Sequence, residues 1–362
     1  MNLNIRSILL FFLIFSSCLK QDDSKIFKKI IQDFENFKPF DVSRYLLGDF
    51  SKERFERENL FYKNTYKRLF KVNKDLLSEQ DKISHELLTF IIKKKIVDFN
   101  FKTHYNPILS DAGFHNNLVY RVKKISSINQ AHDYIKMLGE IPNFVKQNIE
   151  LISRGLDMGI SQPKIIFEGY STTYNKHITP SYKNNFYYSP FLKLPNSIPN
   201  YIKDSLQLLA ANIIMDSVIP SFKKIKHFFE KEYLPRTRNS IGVSQIPNGA
   251  KYYESRIRYY TTLEIKPKEI HNLGIAEVEK IKKQMFKVIS ELKFQGDFKE
   301  FLNFLRTNKK FYASSPKELL VHARDIAKRL DEQLPRFFRH LPRQPYGVAP
   351  VPLSIAPKYT GG

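Results

Sequence analysis

The sequence predicts a mainly α-helical fold, a large multi-helix domain with a proline-rich extended tail, and three observations carry that expectation. Apolar residues recur at three- and four-residue spacing in one segment after another. No run of strict alternation is long enough for an all-β fold. Helix start signals stand where the periodic stretches begin. The chain has 362 residues, 42% of them hydrophobic and 26% charged, a globular balance with enough length for a sizeable core.

Ser24 is placed to cap a first helix with the stripe Ile26, Phe27, Ile30, Ile31, Phe34 and Phe37, ending before Pro39. Ser78 with Asp81 forms a capping-box pattern ahead of Ile83, Leu87, Leu88, Ile91 and Ile92. Pro142 opens a helix through Phe144, Val145, Ile149 and Ile152. A long apolar region from Ile198 to Glu232 should be kinked or split at Pro220, which lacks the amide hydrogen. Pro267 to Leu292 follows, with Ile270, Val278, Ile281, Met285 and Ile289 at core spacing. Ser315-Pro316-Lys317-Glu318 is the clearest start signal, opening a helix that carries Leu319, Leu320, Ala323, Ile326, Ala327 and Leu330. Tyr174 to Asn200 and the tail from Pro342 to Gly362 read as loop, the tail as an extended strap or a free end.

The first residues have a different character. Met1 to Arg6 is a short charged leader and Ile8 to Phe15 a compact apolar stretch, too short to span a bilayer and therefore read as a secretory signal. Phe15-Ser16-Ser17-Cys18 resembles a bacterial lipobox. The expected organisation is a signal peptide over 1–17 and one helical domain over 18–362, with Cys18 lipidated. Acyl chains on Cys18 give stable membrane attachment, and they use the single cysteine of the chain, so no thiol is left for disulfides or metal. The expected location is exported, in the outer membrane or cell envelope, facing periplasm or surface. The net charge of +23 invites a nucleic-acid reading. The lysines are instead spread over nearly every helix as solvated faces, such as Lys93-Lys94-Lys95, and no nucleic-acid partner is expected.

Candidate chemistry is sparse. Zinc hydrolases draw two ligands from one helix at positions i and i+4. His85-Glu86-Leu87-Leu88-Thr89 begins that way, but Thr89 occupies the second ligand position, and the segment reads as a solvated helix edge. His227 and Glu230 could share a helix face and read as a surface contact, whereas His271 and Glu277 point apart on a helix. No serine lies in a nucleophile elbow and no glycine-rich loop resembles a phosphate cradle. No catalytic or metal residue is assigned.

Three stretches say more: Arg154-Gly155-Leu156-Asp157-Met158-Gly159-Ile160-Ser161-Gln162-Pro163-Lys164; Glu232 to Thr262, continuing into Glu269-Ile270-His271-Asn272-Leu273-Gly274; and Phe304-Leu305-Arg306-Thr307 with Phe311-Tyr312, Leu334-Pro335-Arg336 and Leu341-Pro342-Arg343-Gln344-Pro345-Tyr346-Gly347-Val348. In order and spacing they resemble the bacterial family known as domain of unknown function 885, whose members are often exported lipoproteins. The resemblance is weak before about Phe101 and strong from Ile141 onward.

It implies a mostly helical, zincin-like metallopeptidase fold. In the family an HExxPGH segment binds zinc and activates water, beyond the stretch corresponding to Ala356-Pro357-Lys358-Tyr359-Thr360. No residue here matches those ligands, so none is carried over: the expected cofactor set of this chain is empty, with zinc belonging to full-length relatives. The reading is therefore a truncated or split member, inactive alone, that supplies scaffold and substrate-channel wall. A non-enzymatic binding lipoprotein of the cell envelope is the alternative, and peptides and a separate C-terminal catalytic half are candidate partners. The channel candidates are Tyr252, Tyr253, Arg256 and Tyr260, after the Asn248-Gly249 turn, with Arg343 and Tyr346. Near a zincin metal a tyrosine can hydrogen-bond an oxyanion and an arginine can pair with a peptide carboxylate.

Overall fold

A computed structural model describes residues 22–108, 113–353, 356 and 359; Cys18 and residues 1–17, expected as a signal peptide, lie outside them. The described residues are helical, with an isolated parallel bridge between Pro163 and Arg238 in place of any strand. The chain divides into two compact units, Met1–Ser255 and Arg256–Gly362.

The first unit begins with α1 (Asp23–Asn36), α2 (Lys52–Phe70) and α3 (Glu79–Asn100). Asp22, not Ser24, caps α1, its carboxylate accepting from the Lys25 amide. Ser78 caps α3 as expected, accepting from Asp81. The three helices enclose a small core of Phe27, Ile30, Tyr62, Leu69, Leu88 and Ile92. The inward face of α3 differs from the expected one. Ile83, Leu87 and Ile91 are exposed, while His85, Leu88 and Ile92 are buried. His85 is thus no solvated edge: its Nε2 lies 3.0 Å from the Leu69 carbonyl. That carbonyl lies in the last turn of α2 and also accepts from the Val72 amide at 3.1 Å, so the imidazole is its second, side-chain partner.

The larger core is built by α4 (Ile128–Gly139), α5 (Ile141–Asp157), the single-turn α6 (Thr172–Asn175), α7 (Asn200–Ile213) and α8 (Ile219–His227). Pro142 sits in the first turn of α5, and Phe144, Val145, Ile149 and Ile152 are buried as the pattern predicts. Between α7 and α8, Ile214–Val218 widens into a π-turn. Pro220 follows directly; the wider register absorbs the missing donor and the ring clash, so the helix continues where a break was expected. A second π-turn, Phe228–Tyr233, carries Phe229 into a fully buried aromatic cluster. Its ring lies 5.9 Å from Tyr174 in a stack and 5.2 Å from Tyr170 edge-on. The region from Tyr174 to Asn200, expected as loop, is short 3-10 turns whose Tyr187 and Phe191 are fully buried.

α9 (Gly249–Thr261) crosses the boundary between the units. The second unit contains α10 (Pro267–Glu291), α11 (Phe298–Thr307) and α12 (Pro316–Phe337). Ser315 caps α12 as predicted, but Glu318 completes the turn on the Ser314 amide rather than on Ser315. Of the core positions expected on α10, Ile289 is buried while Val278, Ile281 and Met285 are exposed; on α12, Leu319, Ile326 and Leu330 are exposed. Their spacing makes the helices, yet among the described residues those stripes stay largely exposed. Tyr346 and Val348 tie the start of the tail to α12: Arg324 Nε donates to the Val348 carbonyl and Tyr346 Oη to Asp331.

Candidate functional site

The first two sequence motifs meet in space. α5 ends in a Schellman turn, with the Ile160 amide donating to the Gly155 carbonyl and the Gly159 amide to Leu156. Gly159 takes a left-handed φ of 74° there. The turn delivers Ser161 and Gln162 to Arg238. Arg238 donates from its amide to the Ser161 hydroxyl (3.2 Å) and from Nε to the Ser161 carbonyl (3.1 Å), and accepts the Lys164 amide on its carbonyl (2.8 Å). Its Nη1 reaches the carbonyls of Ser240 and Gly242. Tyr233 Oη, fully buried, accepts from the Gln162 amide and donates to Asn106. Arg236 pairs with Asp157 at 2.7 Å. Arg238 is therefore a rivet between two chain segments, a role the sequence flagged as a motif without revealing.

Beside this clasp is a cavity of about 240 Å³, lined among others by Phe101, Asn106, Gln162, Arg238, Ile246 and Tyr252. Tyr252 reaches it because Asn248 turns in the left-handed region (φ 59°) and starts α9. The turn expected from Asn248-Gly249 is thereby present; a Cβ on Gly249 would run into the Val243 carbonyl. The Tyr252 ring packs edge-on against Phe101 at 5.5 Å. Burial pulls the Arg238 pKa below its usual value, though the guanidinium stays charged. Amides, a tyrosine and two cations, Lys102 and Arg238, suit the binding of extended polypeptide by hydrogen bonds, and the wall brings no nucleophile paired with a base.

The remaining channel candidates have other surroundings. Tyr253 is exposed on α9. In the second unit Arg256 is half-buried with its guanidinium 5.4 Å from the Tyr259 ring, and Tyr260 is 77% exposed. Arg343 is exposed. Tyr346 is held to α12 by its bond to Asp331 (3.0 Å), whose carboxylate raises the phenol's pKa.

No group of three or more His, Cys, Asp or Glu that could hold a metal exists among the described residues. His85 is tied to Leu69, His227 is exposed, and Glu230 accepts from Tyr174 Oη at 3.3 Å. These donors do not fit a zincin metal, and no step through zinc can be derived from them. Two further histidines went unnoticed in the sequence. His115 is buried against the Phe229 cluster, its Nε2 lying 2.9 Å from Thr173 Oγ1, and His177 is buried against Phe222, Tyr187 and Phe186. Burial, with smaller contributions from nearby charges, pushes each pKa down to about 3. They are neutral core side chains.

The chain matches the family described as "Bacterial protein of unknown function (DUF885)" over residues 40–362. No curated protein matches it. A solved structure described as "putative lipoprotein from Colwellia psychrerythraea" is similar with a TM-score of 0.70 at 17% identity, a likeness that shows the fold. The match covers 90% of this chain and 61% of that one, so this chain spans less than two thirds of that relative's length.

Proposed function

The chain belongs to the bacterial DUF885 family, and from that premise we propose that it forms part of an envelope-anchored, zincin-like peptidase. Its helices supply the scaffold and one wall of a peptide channel, while the metal ligands lie on polypeptide outside these 362 residues. Cys18 is the lipid anchor, and the protein is exported to the outer membrane or cell envelope; the lipoprotein description of the similar solved structure supports this.

One observation carries the reading: α10 and α12 expose Val278, Ile281, Phe286, Leu319, Ile326 and Leu330 along regular helical stripes. Apolar faces of that extent mark surfaces made to be covered, and the similar structure has further chain that this one does not match. Tyr252 and the amides around it then face the peptide. Zinc analysis and peptide cleavage on this chain, alone and joined to a segment bearing HExxPGH, test the proposal. The chain alone is expected to hold no stoichiometric zinc and to cleave nothing, and the joined polypeptide to do both. Zinc-dependent cleavage by the chain alone would refute it.

A second reading, a binding lipoprotein that works without metal, is favoured by the closed aromatic core of the first unit. It requires the whole chain to fold in one cooperative step and to bind no apolar dye.

A further inference from the structure

The cavity beside the Arg238 clasp carries an unbalanced charge. Lys102 and Arg238 both line it, and no aspartate or glutamate does. Both side chains are half-buried, so a ligand can reach them. Lys102 Nζ donates to Met158 Sδ at 3.7 Å, a thioether without charge. Arg238 uses Nε and Nη1 on the carbonyls of Ser161, Ser240 and Gly242; its Nη2 makes no hydrogen bond among the described residues and is open to solvent. Asp157, the carboxylate of the clasp, is taken by Arg236. Carbonyls satisfy hydrogen bonds but leave the formal charge standing, which is why burial still lowers the Arg238 pKa. Two like charges on one concave wall focus a positive field, and an anion relieves it.

The rest of the wall describes the molecule that carries the anion. Phe101, Ile160, Val243 and Ile246 supply apolar surface, and Gln162 and Tyr252 bring polar atoms suited to a backbone amide. An inorganic anion has no use for the apolar part; a carboxylate beside a hydrocarbon group uses both. The volume of about 240 Å³ equals about eight waters, the bulk of one medium-sized amino-acid residue. Lys102 also stands in the left-handed region, at φ 58°. Glycine or asparagine serves such a turn better, so what lysine adds there is its charge.

Resting on the reading of this wall as part of a peptide channel, we propose that the cavity takes the C-terminal residue of a peptide. The free carboxylate lies between Lys102 and Arg238, and an apolar last side chain lies against Phe101, Ile160 and Ile246. The chain end enters, not an internal stretch, so the substrates selected are peptides with a free carboxyl terminus and an apolar last residue.

Titration calorimetry on the whole chain, without added metal, tests this with acetyl-Gly-Gly-Leu and its C-terminal amide as probes. The free acid is expected to bind about tenfold more tightly than the amide, the equivalent of one charged hydrogen bond. Acetyl-Gly-Gly-Asp should bind more weakly than the leucine peptide. Lys102→Asn, which keeps the left-handed turn and removes the charge, should lose about the same factor for the acid and leave the amide unchanged. Equal binding of acid and amide to the unaltered protein overturns the proposal, as does failure of the acid to bind. Unchanged acid binding in Lys102→Asn, or tighter binding of inorganic phosphate than of the acid, overturns it as well. No cleavage is read, so failure here removes the carboxylate site and leaves the peptidase reading to its own test of zinc and cleavage.

Discussion

The two units use the same kind of helix to different ends. In the first, amphipathic helices meet: Phe229 is surrounded by Phe167, Tyr170, Tyr174 and Tyr233, and Ile152, Ile214 and Phe222 are fully buried. In the second, α10 and α12 have equally regular apolar stripes, yet among the described residues of this unit Ile257, Ile289 and Phe301 are its buried hydrophobics. Periodicity makes a helix amphipathic; only a facing element turns the stripe into a core. The contrast explains why the first unit resembles a finished protein interior and the second a surface awaiting one.

The sharpest way to break this contrast is truncation in each unit. Phe229→Ala should cost about 3–5 kcal/mol of the first unit's stability, while Leu319→Ala, at a residue 62% exposed, should change stability by about 0.5 kcal/mol or less. Urea unfolding followed separately in each unit reads both. A large cost at Leu319 would show that this face is covered in solution.

Acid should weaken the first unit. His104, His115 and His177 are held neutral with pKa values of about 4, 3 and 3, against 6.5 for a free histidine. Between those limits the unfolded chain takes up protons that the folded chain does not. Stability is therefore lost as pH falls below 6.5, by up to about 1.4 kcal/mol per pH unit for each group, and the loss levels off near pH 3. Unfolding temperatures from pH 7 to 4 should show this slope, flattened in His115→Phe; no slope would mean that the three rings are solvated.

Two glycines inside helices should answer in opposite directions. A Cβ on Gly155 of α5 would lie 2.6 Å from the Tyr105 carbonyl, whereas one on Gly274 of α10 meets nothing within 4 Å. Gly155→Ala should destabilise by about 1–3 kcal/mol through overpacking, and Gly274→Ala should stabilise α10 by about 0.5–1 kcal/mol. Hydrogen exchange of the two helices measures each effect.

Helix capping should show the least contrast. Ser51 accepts from the Arg54 amide in the first unit and Ser315 from the Glu318 amide in the second, at 3.3 and 3.2 Å. Replacing either with alanine should cost about 1 kcal/mol locally, measured by exchange in the first turns of α2 and α12. Unequal costs would mean that tertiary packing dominates even here.

Much of the fold was legible. The helical class, the starts at Ser78, Pro142 and Ser315, and the Asn248-Gly249 turn followed from propensity, capping chemistry and φ preference, which act within a few residues. Family membership was legible too, because several motifs in series constrain each other. The face of α3 was not. Ile83, Leu87 and Ile91 gave as good a stripe as Leu88 and Ile92, and the choice was made by packing against Phe27, Ile30 and Leu69, with His85 reaching the Leu69 carbonyl sixteen residues away. The site was legible only as stretches. Tyr252 was picked out as polar-tipped and does line a cavity, but Arg238 and Tyr233 drew no notice because their partners lie 71 to 127 residues distant.

The sequence by itself determined where helices start, which residues form stripes and which family the chain joins, since each is written in short-range spacing or in ordered motifs. The tertiary structure alone decided which stripes are buried, that a π-turn carries the chain through Pro220, and that Arg238 rivets two motifs. Burial and long-range hydrogen bonding depend on what a residue meets, and the chain's local pattern does not encode that meeting.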